Sequence, residues 1–438
     1  MAGGTTGSAR RDTAAMLVGQ FVRIGVQGGY FILLARGLEA RQFGAVAALL
    51  SVVALLVPFS SLGSGLLVVK NVSRDHSAAP VQWSNAATLT LLSGSVMAGI
   101  VTACSPIFTA GVIPLWAVAA TAISDLVLAR LLDAAAFLFQ ALGRMGTAAI
   151  LPVLLHAGRL AALAAVALGT SLTASSWAVS YLAASILISA ATTLYCVKHV
   201  GMTRPRLSLF AREWRTGALF SIGMSSQTIY NDIDKALLGK LSTLQATGTY
   251  AAAYRIVDMS YVPVRALIAA AYPDMMRAGA GGLRPVLAVV RRSIALPAAA
   301  YCLVGTIAMA LGAGLVPVLL GDSYASSVTA LRLLSSLLLL KGLHYIAGDA
   351  LTTANEQGHR TLIQVSIAVL NVALCFLLIP TWGWHGAVAA SLTSDGLLAL
   401  CLWFIIWRRV RILQREPHSL TKQVAGDLAQ RPGATVGQ

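Results

Sequence analysis

Charged residues make up only 11% of this 438-residue chain, and aromatic residues only 7%. A soluble globular domain carries about 25% charge, so that class is excluded. Acid is scarcer still, with 16 Asp and Glu against 32 Lys and Arg. The five cysteines (Cys104, Cys196, Cys302, Cys375 and Cys401) show no C-x-x-C spacing. Free, packed thiols are therefore expected, with neither a disulfide framework nor a metal site. The chain also lacks H-E-x-x-H, a P-loop and G-x-S-x-G. None of the gaps expected on the outer side is long enough to hold catalytic residues, so an enzyme is poorly supported and no cofactor is implied.

What the chain does have is apolar length. Hydrophobic residues reach 57% and fall into twelve runs: 16–35, 44–69, 83–105, 115–139, 147–169, 175–197, 217–238, 249–272, 294–320, 328–352, 361–380 and 384–407. Hydrocarbon cannot hydrogen-bond to backbone, so an apolar run of about 20 residues must span as a helix. The expected fold class is an all-α polytopic membrane protein with about twelve transmembrane helices. Arg10 and Arg11 precede a first run long enough to stay as an anchor, and no cleaved signal peptide is expected.

The basic residues fall in alternate gaps. With the N-terminus in the cytoplasm, the even-numbered gaps and the two tails hold 21 of the 32 Lys and Arg. The richest are Lys198/Arg204/Arg206/Arg212/Arg215, Arg277/Arg284/Arg291/Arg292 and Arg408/Arg409/Arg411/Arg415. The odd-numbered gaps hold only Arg36, Arg41 and Lys240. This is the positive-inside bias, and it predicts that both termini are cytoplasmic. The net charge of +16 is then a topology signal and an attraction to anionic lipid, not a nucleic-acid patch.

The polar stretch from Lys198 to Arg215 divides the runs six and six. The expected organisation is a tail (1–15), a first six-helix bundle (16–197), a linker (198–216), a second bundle (217–407) and a polar tail (408–438) expected to be disordered. A short internal repeat crosses the linker. Leu33-Leu34-Ala35-Arg36, seven residues and Gly44 correspond without a gap to Leu237-Leu238-Gly239-Lys240, seven residues and Gly248. Halves with an even number of spans enter from the same side, so the repeat is parallel. Two bundles rocking about a central site is the mechanism it permits.

Charge inside a span costs a few kcal/mol and usually faces a bundle interior or a cavity. Arg23 lies about a third of the way along the first span, with no acid in that helix. In the eighth, Arg255, Asp258 and Arg265 fall on one helical stripe. Lys341 sits in the tenth. Such cations would suit an anionic group, which arginine can hold bidentately. The competing reading makes Arg255–Asp258 a structural pair, and likewise Asp125, Arg130 and Asp133 in the fourth span. Asp234, Asp258 and Asp349, with Asp232 and Asp395, are candidates to bind a coupling proton or sodium ion. Pro58, Pro152, Pro263 and Pro297 fall inside spans and permit kinks; Pro263, close to Arg265, is the one suited to a gate.

The order of the motifs carries a resemblance. Gly19-Gln20-Phe21-Val22-Arg23, Leu33-Leu34-Ala35-Arg36-Gly37-Leu38, Phe43-Gly44 and Ser61-Leu62-Gly63 resemble the opening of the polysaccharide flippases (Wzx-type) of the MOP transporter superfamily. Asn231-Asp232-Ile233-Asp234-Lys235, Gly248-Thr249-Tyr250-Ala251 and Ala253-Tyr254-Arg255 resemble that family's seventh and eighth helices. Leu320-Gly321-Asp322, Ala354-Asn355, Ile379-Pro380 and Gly386-Ala387 extend the likeness over nearly the whole chain.

The resemblance implies two MATE-like six-helix bundles in a bacterial inner membrane. It implies translocation of an undecaprenyl-pyrophosphate-linked oligosaccharide, with a polysaccharide polymerase and a chain-length regulator as partners. It places head-group binding on Arg23, Arg255 and Arg265; Lys341 is a further candidate on the buried-charge reading alone. A multidrug exporter of the same superfamily is the main rival. Organic cations would favour a buried acid in the first bundle and disfavour Arg23. A membrane-embedded polymerase or ligase is the rival of another class, and would predict a long periplasmic loop.

Overall fold

The computed structural model of the chain describes residues 5–206, 228 and 231–415. Arg212 and Arg215 of the expected linker, the first part of the seventh span and the tail from Glu416 lie outside these residues. The described secondary structure is helical throughout, with no strand among the described residues. The first half comprises α1 (Thr5–Gly37), α2 (Ala40–Ser61), α3 (Ser64–Val72), α4 (Ala79–Cys104), α5 (Leu115–Ile123), α6 (Ala129–Ala141), α7 (Met145–Gly169) and α8 (Ala174–Val200). The second comprises α9 (231–241), α10 (Leu244–Ser260), α11 (Val262–Gly279), α12 (Leu283–Val289), α13 (Leu296–Gly312), α14 (Val316–Leu320), α15 (Ser327–Leu334), α16 (Leu337–Thr353), α17 (Gln357–Trp382) and α18 (Trp384–Arg415).

Among the described residues, nine helical stretches are long and apolar enough to cross a membrane. With α1, α9 and the α10–α11 pair at three further expected positions, the arrangement is consistent with twelve passes. Several passes are interrupted. Leu62 and Gly63, with φ of 48° and 71°, break the second pass between α2 and α3. The eighth passes from α10 to α11 at Tyr261, which keeps helical φ and ψ of −77° and −16°, with Pro263 in the first turn of α11. Proline disfavours helical backbone in the residue before it and supplies no N–H, which places it at a helix start. A π-helical turn, Ser124–Leu128, joins α5 to α6, and a second, Val290–Ala295, joins α12 to α13.

The cores show how the halves sit together. One buried cluster belongs to the first half alone, running from Val68 and Trp83 through Leu132 and Phe139 to Cys196. Another belongs to the second half alone, from Tyr261 and Met275 through Ile294 and Leu351 to Ile406. The third contains Phe31, Leu38, Phe43, Phe108 and Trp177 of the first half with Leu238, Leu244, Tyr250, Tyr324 and Ile379 of the second. It gathers the connections near residues 38, 110, 172, 242, 322 and 383, called here the loop end. The opposite, terminal end carries the start of α1 and the finish of α18. There Ser84 Oγ and Asn85 Oδ1 accept from the backbone N–H groups of Thr203 and Arg206, at 3.0 and 2.6 Å. In the other half the Arg284 guanidinium donates to the Val410 carbonyl at 3.3 Å. Among the described residues, the halves share a hydrophobic core at the loop end and keep separate cores toward the terminal end.

All five cysteines are free; Cys196, Cys302 and Cys375 are buried, whereas Cys104 is exposed. Trp382 is exposed at the loop end, as expected of an interfacial aromatic.

Candidate functional site

α1 and α10 face each other between the halves. Gly28 of α1 is packed so closely on α10 that a Cβ there would meet Met259 Cε at 2.6 Å. Arg23, below this point on α1, is half-buried, and its Nε is buried without a hydrogen-bond partner among the described residues. Arg265 of α11 and Asp133 of α6 lie within its electrostatic reach. Arg255 of α10 is half-buried, and it acts with Arg23 on His156 of α7. Among the described residues, neither Arg255 nor Arg265 has a hydrogen bond or an ion pair. Arg23 thus lies within electrostatic reach of Arg265, and Arg23 and Arg255 both act on His156, while acids face each guanidinium without pairing: Asp133 toward Arg23, Asp258 toward Arg255 and Asp349 toward Arg265.

The other cations nearby are neutralised. Lys341 Nζ of α16 is buried, lies 2.5 Å from Asp258 Oδ1 and sits 4.4 Å from the centre of the Tyr254 ring. Lys235 Nζ approaches the same ring at 3.9 Å and pairs with Asp232 at 3.0 Å. Asp258 thus reaches across to α16 instead of forming the i,i+3 pair with Arg255 that the spacing offers. Lys341, the fourth expected head-group cation, sits behind a carboxylate. The backbone of the eighth pass stays helical through Tyr261, whose N–H donates to the Val257 carbonyl at 3.0 Å and whose carbonyl accepts from Arg265 N–H at 3.2 Å, and Arg265 is exposed.

The three candidate coupling carboxylates sit in different settings. Asp234 is buried, accepts from the Tyr250 hydroxyl and from Ser391 Oγ at 3.2 Å, and lies 3.6 Å from Lys235 Nζ. Asp258 is held by Lys341. Asp349 pairs with Arg360 at 3.2 Å toward the terminal end. Asp395 lies 3.1 Å from His344, with both side chains buried.

A cavity of about 400 Å³ opens within the first bundle beside Arg23, lined also by Asp125, Arg130, Asp133, His156 and Arg159. Its central element is Arg159 of α7, only 5% exposed. The Arg159 guanidinium donates to Asp125 Oδ1 at 2.9 Å, Tyr181 OH at 2.6 Å, Ser185 Oγ at 2.9 Å and the Ser124 carbonyl at 3.2 Å. It also lies 3.8 Å from the centre of the Tyr181 ring. The π-helical turn presents Asp125 to this network, because its wider winding re-aims one side chain. His156 meets Gln27 of α1 at 3.0 Å, and Arg130 pairs with Asp133 at 2.6 Å. Sequence reasoning passed over Arg159 and His156. The signal was present, since a guanidinium in an apolar span carries the same cost that marked Arg23.

These features define an all-helical, multi-pass membrane protein whose two halves share a core at the loop end and carry buried charge. The sequence profile described as polysaccharide biosynthesis protein matches residues 9–278, and the chain belongs to that family. A comparison with curated proteins finds no match.

Solved structures identify the fold as that of the MOP superfamily. An inward-facing multidrug resistance MATE family transporter of that superfamily is 15% identical, with a TM-score of 0.75 over 92% of this chain and 99% of the other. The lipid II flippase MurJ in an inward closed conformation is 11% identical, with a TM-score of 0.72 over 90% and 87%. An outward-facing MATE transporter, 16% identical, gives 0.63 over 92% and 96%.

Proposed function

We propose that the protein is a flippase that carries an undecaprenyl-pyrophosphate-linked oligosaccharide from the cytoplasmic to the periplasmic leaflet of a bacterial inner membrane, by alternating access. The observation that supports this reading is the electrostatic grouping of Arg23, Arg255 and Arg265, none of which forms an ion pair among the described residues. A diphosphate head group supplies the missing negative charge, and arginine's planar fork matches phosphate oxygens bidentately. The positive-inside bias favours placing both termini, and the terminal end, in the cytoplasm. Outward movement of an anion then runs with an inside-negative potential, worth about 2.3 kcal/mol per charge per 100 mV.

A coupling ion would add to that drive. Asp234, supported by two hydroxyls and by Lys235, which it shares with Asp232, is the carboxylate favoured for that role. A polymerase and a chain-length regulator would act on the delivered repeat.

The test is conditional depletion followed by analysis of membrane lipids and surface polymer, with Arg23→Ala and Arg255→Ala at matched membrane levels. Cytoplasm-facing lipid-linked oligosaccharide should accumulate, and polymer should be lost. Unchanged polymer with heightened sensitivity to cationic drugs would favour a small-molecule exporter instead.

A further inference from the structure

The repeat that pairs Gly44 with Gly248 has a physical counterpart. Each is the fifth residue of its helix, α2 from Ala40 and α10 from Leu244. A Cβ on Gly44 would fall on the Leu244 carbonyl and within 2.7 Å of the Gly248 amide nitrogen. A Cβ on Gly248 would fall on the Ala40 carbonyl and within 3.2 Å of the Gly44 amide nitrogen. The two sets of contacts are images of each other, so the helices cross backbone to backbone about a local two-fold axis. Only residues without side chains permit that approach.

The surroundings make this crossing a seal. Phe43 packs edge-on against Tyr324, with ring centroids 6.0 Å apart, and the Tyr324 hydroxyl donates to the Leu38 carbonyl at 3.1 Å. A Cβ on Gly239, in α9, would meet Ala48 of α2 at 2.8 Å and the Phe108 carbonyl at 3.0 Å. All of these contacts join the two halves, and all lie at the loop end. Among the described residues, the halves share no core toward the terminal end.

We infer that the reciprocal Gly44–Gly248 crossing is the gate at the loop end, and that its backbone contact holds the molecule open at the terminal end. The inference goes beyond the proposed transport cycle, which needs a gate but does not name one, and it rests on the two halves moving apart. A backbone seal has no side chain to rotate aside, so it parts as a rigid-body step. Filling either glycine therefore shifts the balance toward the loop-end-open state.

The test uses the full chain in nanodiscs, with its native cysteines replaced and a reporter Ala252→Cys one turn beyond Gly248, at a position 0% exposed. A membrane-impermeant maleimide reaches both faces of a nanodisc, so the result depends on neither orientation nor substrate. The reporter should be protected in the parent, and Gly44→Leu and Gly248→Leu should each raise its labelling rate by about tenfold, as overpacking of a tight contact implies. Folded glycine variants with a protected reporter would overturn the gate.

Should the leucine variants fail to fold, a second arm decides. Phe43→Cys with Tyr324→Cys, joined by a short bifunctional thiol reagent, should abolish polymer export until reductant is added. Undiminished export by the cross-linked protein would refute the gate. If depletion leaves polymer unchanged, the flippase reading fails, and labelling with alanine at either glycine still tests the gate.

Discussion

Replacing Arg159 with methionine removes the guanidinium and keeps much of the apolar volume. Among the described residues, Asp125, with a side chain 17% exposed, then loses its ion-pair partner and keeps one hydroxyl donor, Tyr181 at 2.9 Å. The Ser124 carbonyl and Ser185 Oγ lose a donor as well. Breaking a buried pair by deleting one partner costs about 3–5 kcal/mol, because the remaining charge is left uncompensated. Removing both charges does not carry that penalty, so Arg159→Met with Asp125→Leu should recover most of the loss. The coupling between the two sites should then be at least about 2 kcal/mol in a double-mutant cycle. Thermal unfolding of the four proteins in detergent, followed by size exclusion, measures it. Additive losses, or an Arg159→Met protein as stable as the parent, would refute the idea that this network holds the first bundle together.

Lys341→Met should free Asp258 to turn to Arg255 three residues earlier, taking one guanidinium out of the grouping. Binding of a diphosphate-headed lipid, read by thermal shift, should weaken about tenfold, the worth of one charge-assisted hydrogen bond, and Asp258→Asn in the same chain should restore it. Gly94→Ala should destabilise the first bundle by about 1–3 kcal/mol, since the added Cβ falls on the Leu126 carbonyl in the π-helical turn; an unchanged melting temperature would contradict that packing. Outside the spans, Asp75 caps the turn His76–Ala78 by accepting from Ser77 Oγ at 2.6 Å and Ser77 N at 2.9 Å. These bonds, the hydroxyl's first, hold its carboxyl below the ordinary value. The cap is therefore complete above the usual carboxylate range and is lost as pH falls through the lowered folded value. Protection of the Ser77 amide from exchange should persist at neutral pH and fail only in acid.

The sequence alone determined where the chain crosses the membrane and what fold class results. Hydrocarbon obliges each span to satisfy its own backbone, so the crossing segments are a local property of some twenty consecutive residues. Charge bias between the spans was legible for the same reason. So was the spacing that matches Gly44 to Gly248, and so was the cost that marked Arg23 as a residue needing an explanation. Only the tertiary structure decided which charges are free. Asp258 lies three residues from Arg255, yet it pairs with Lys341 from another helix, and Arg159 finds Asp125 on a π-helical turn that no apolar pattern announces. The matched glycines are visible as a repeat, but that they touch is a fact of helix crossing. Ion pairing and backbone contact depend on distances through space between helices remote in sequence, and no local periodicity carries those distances.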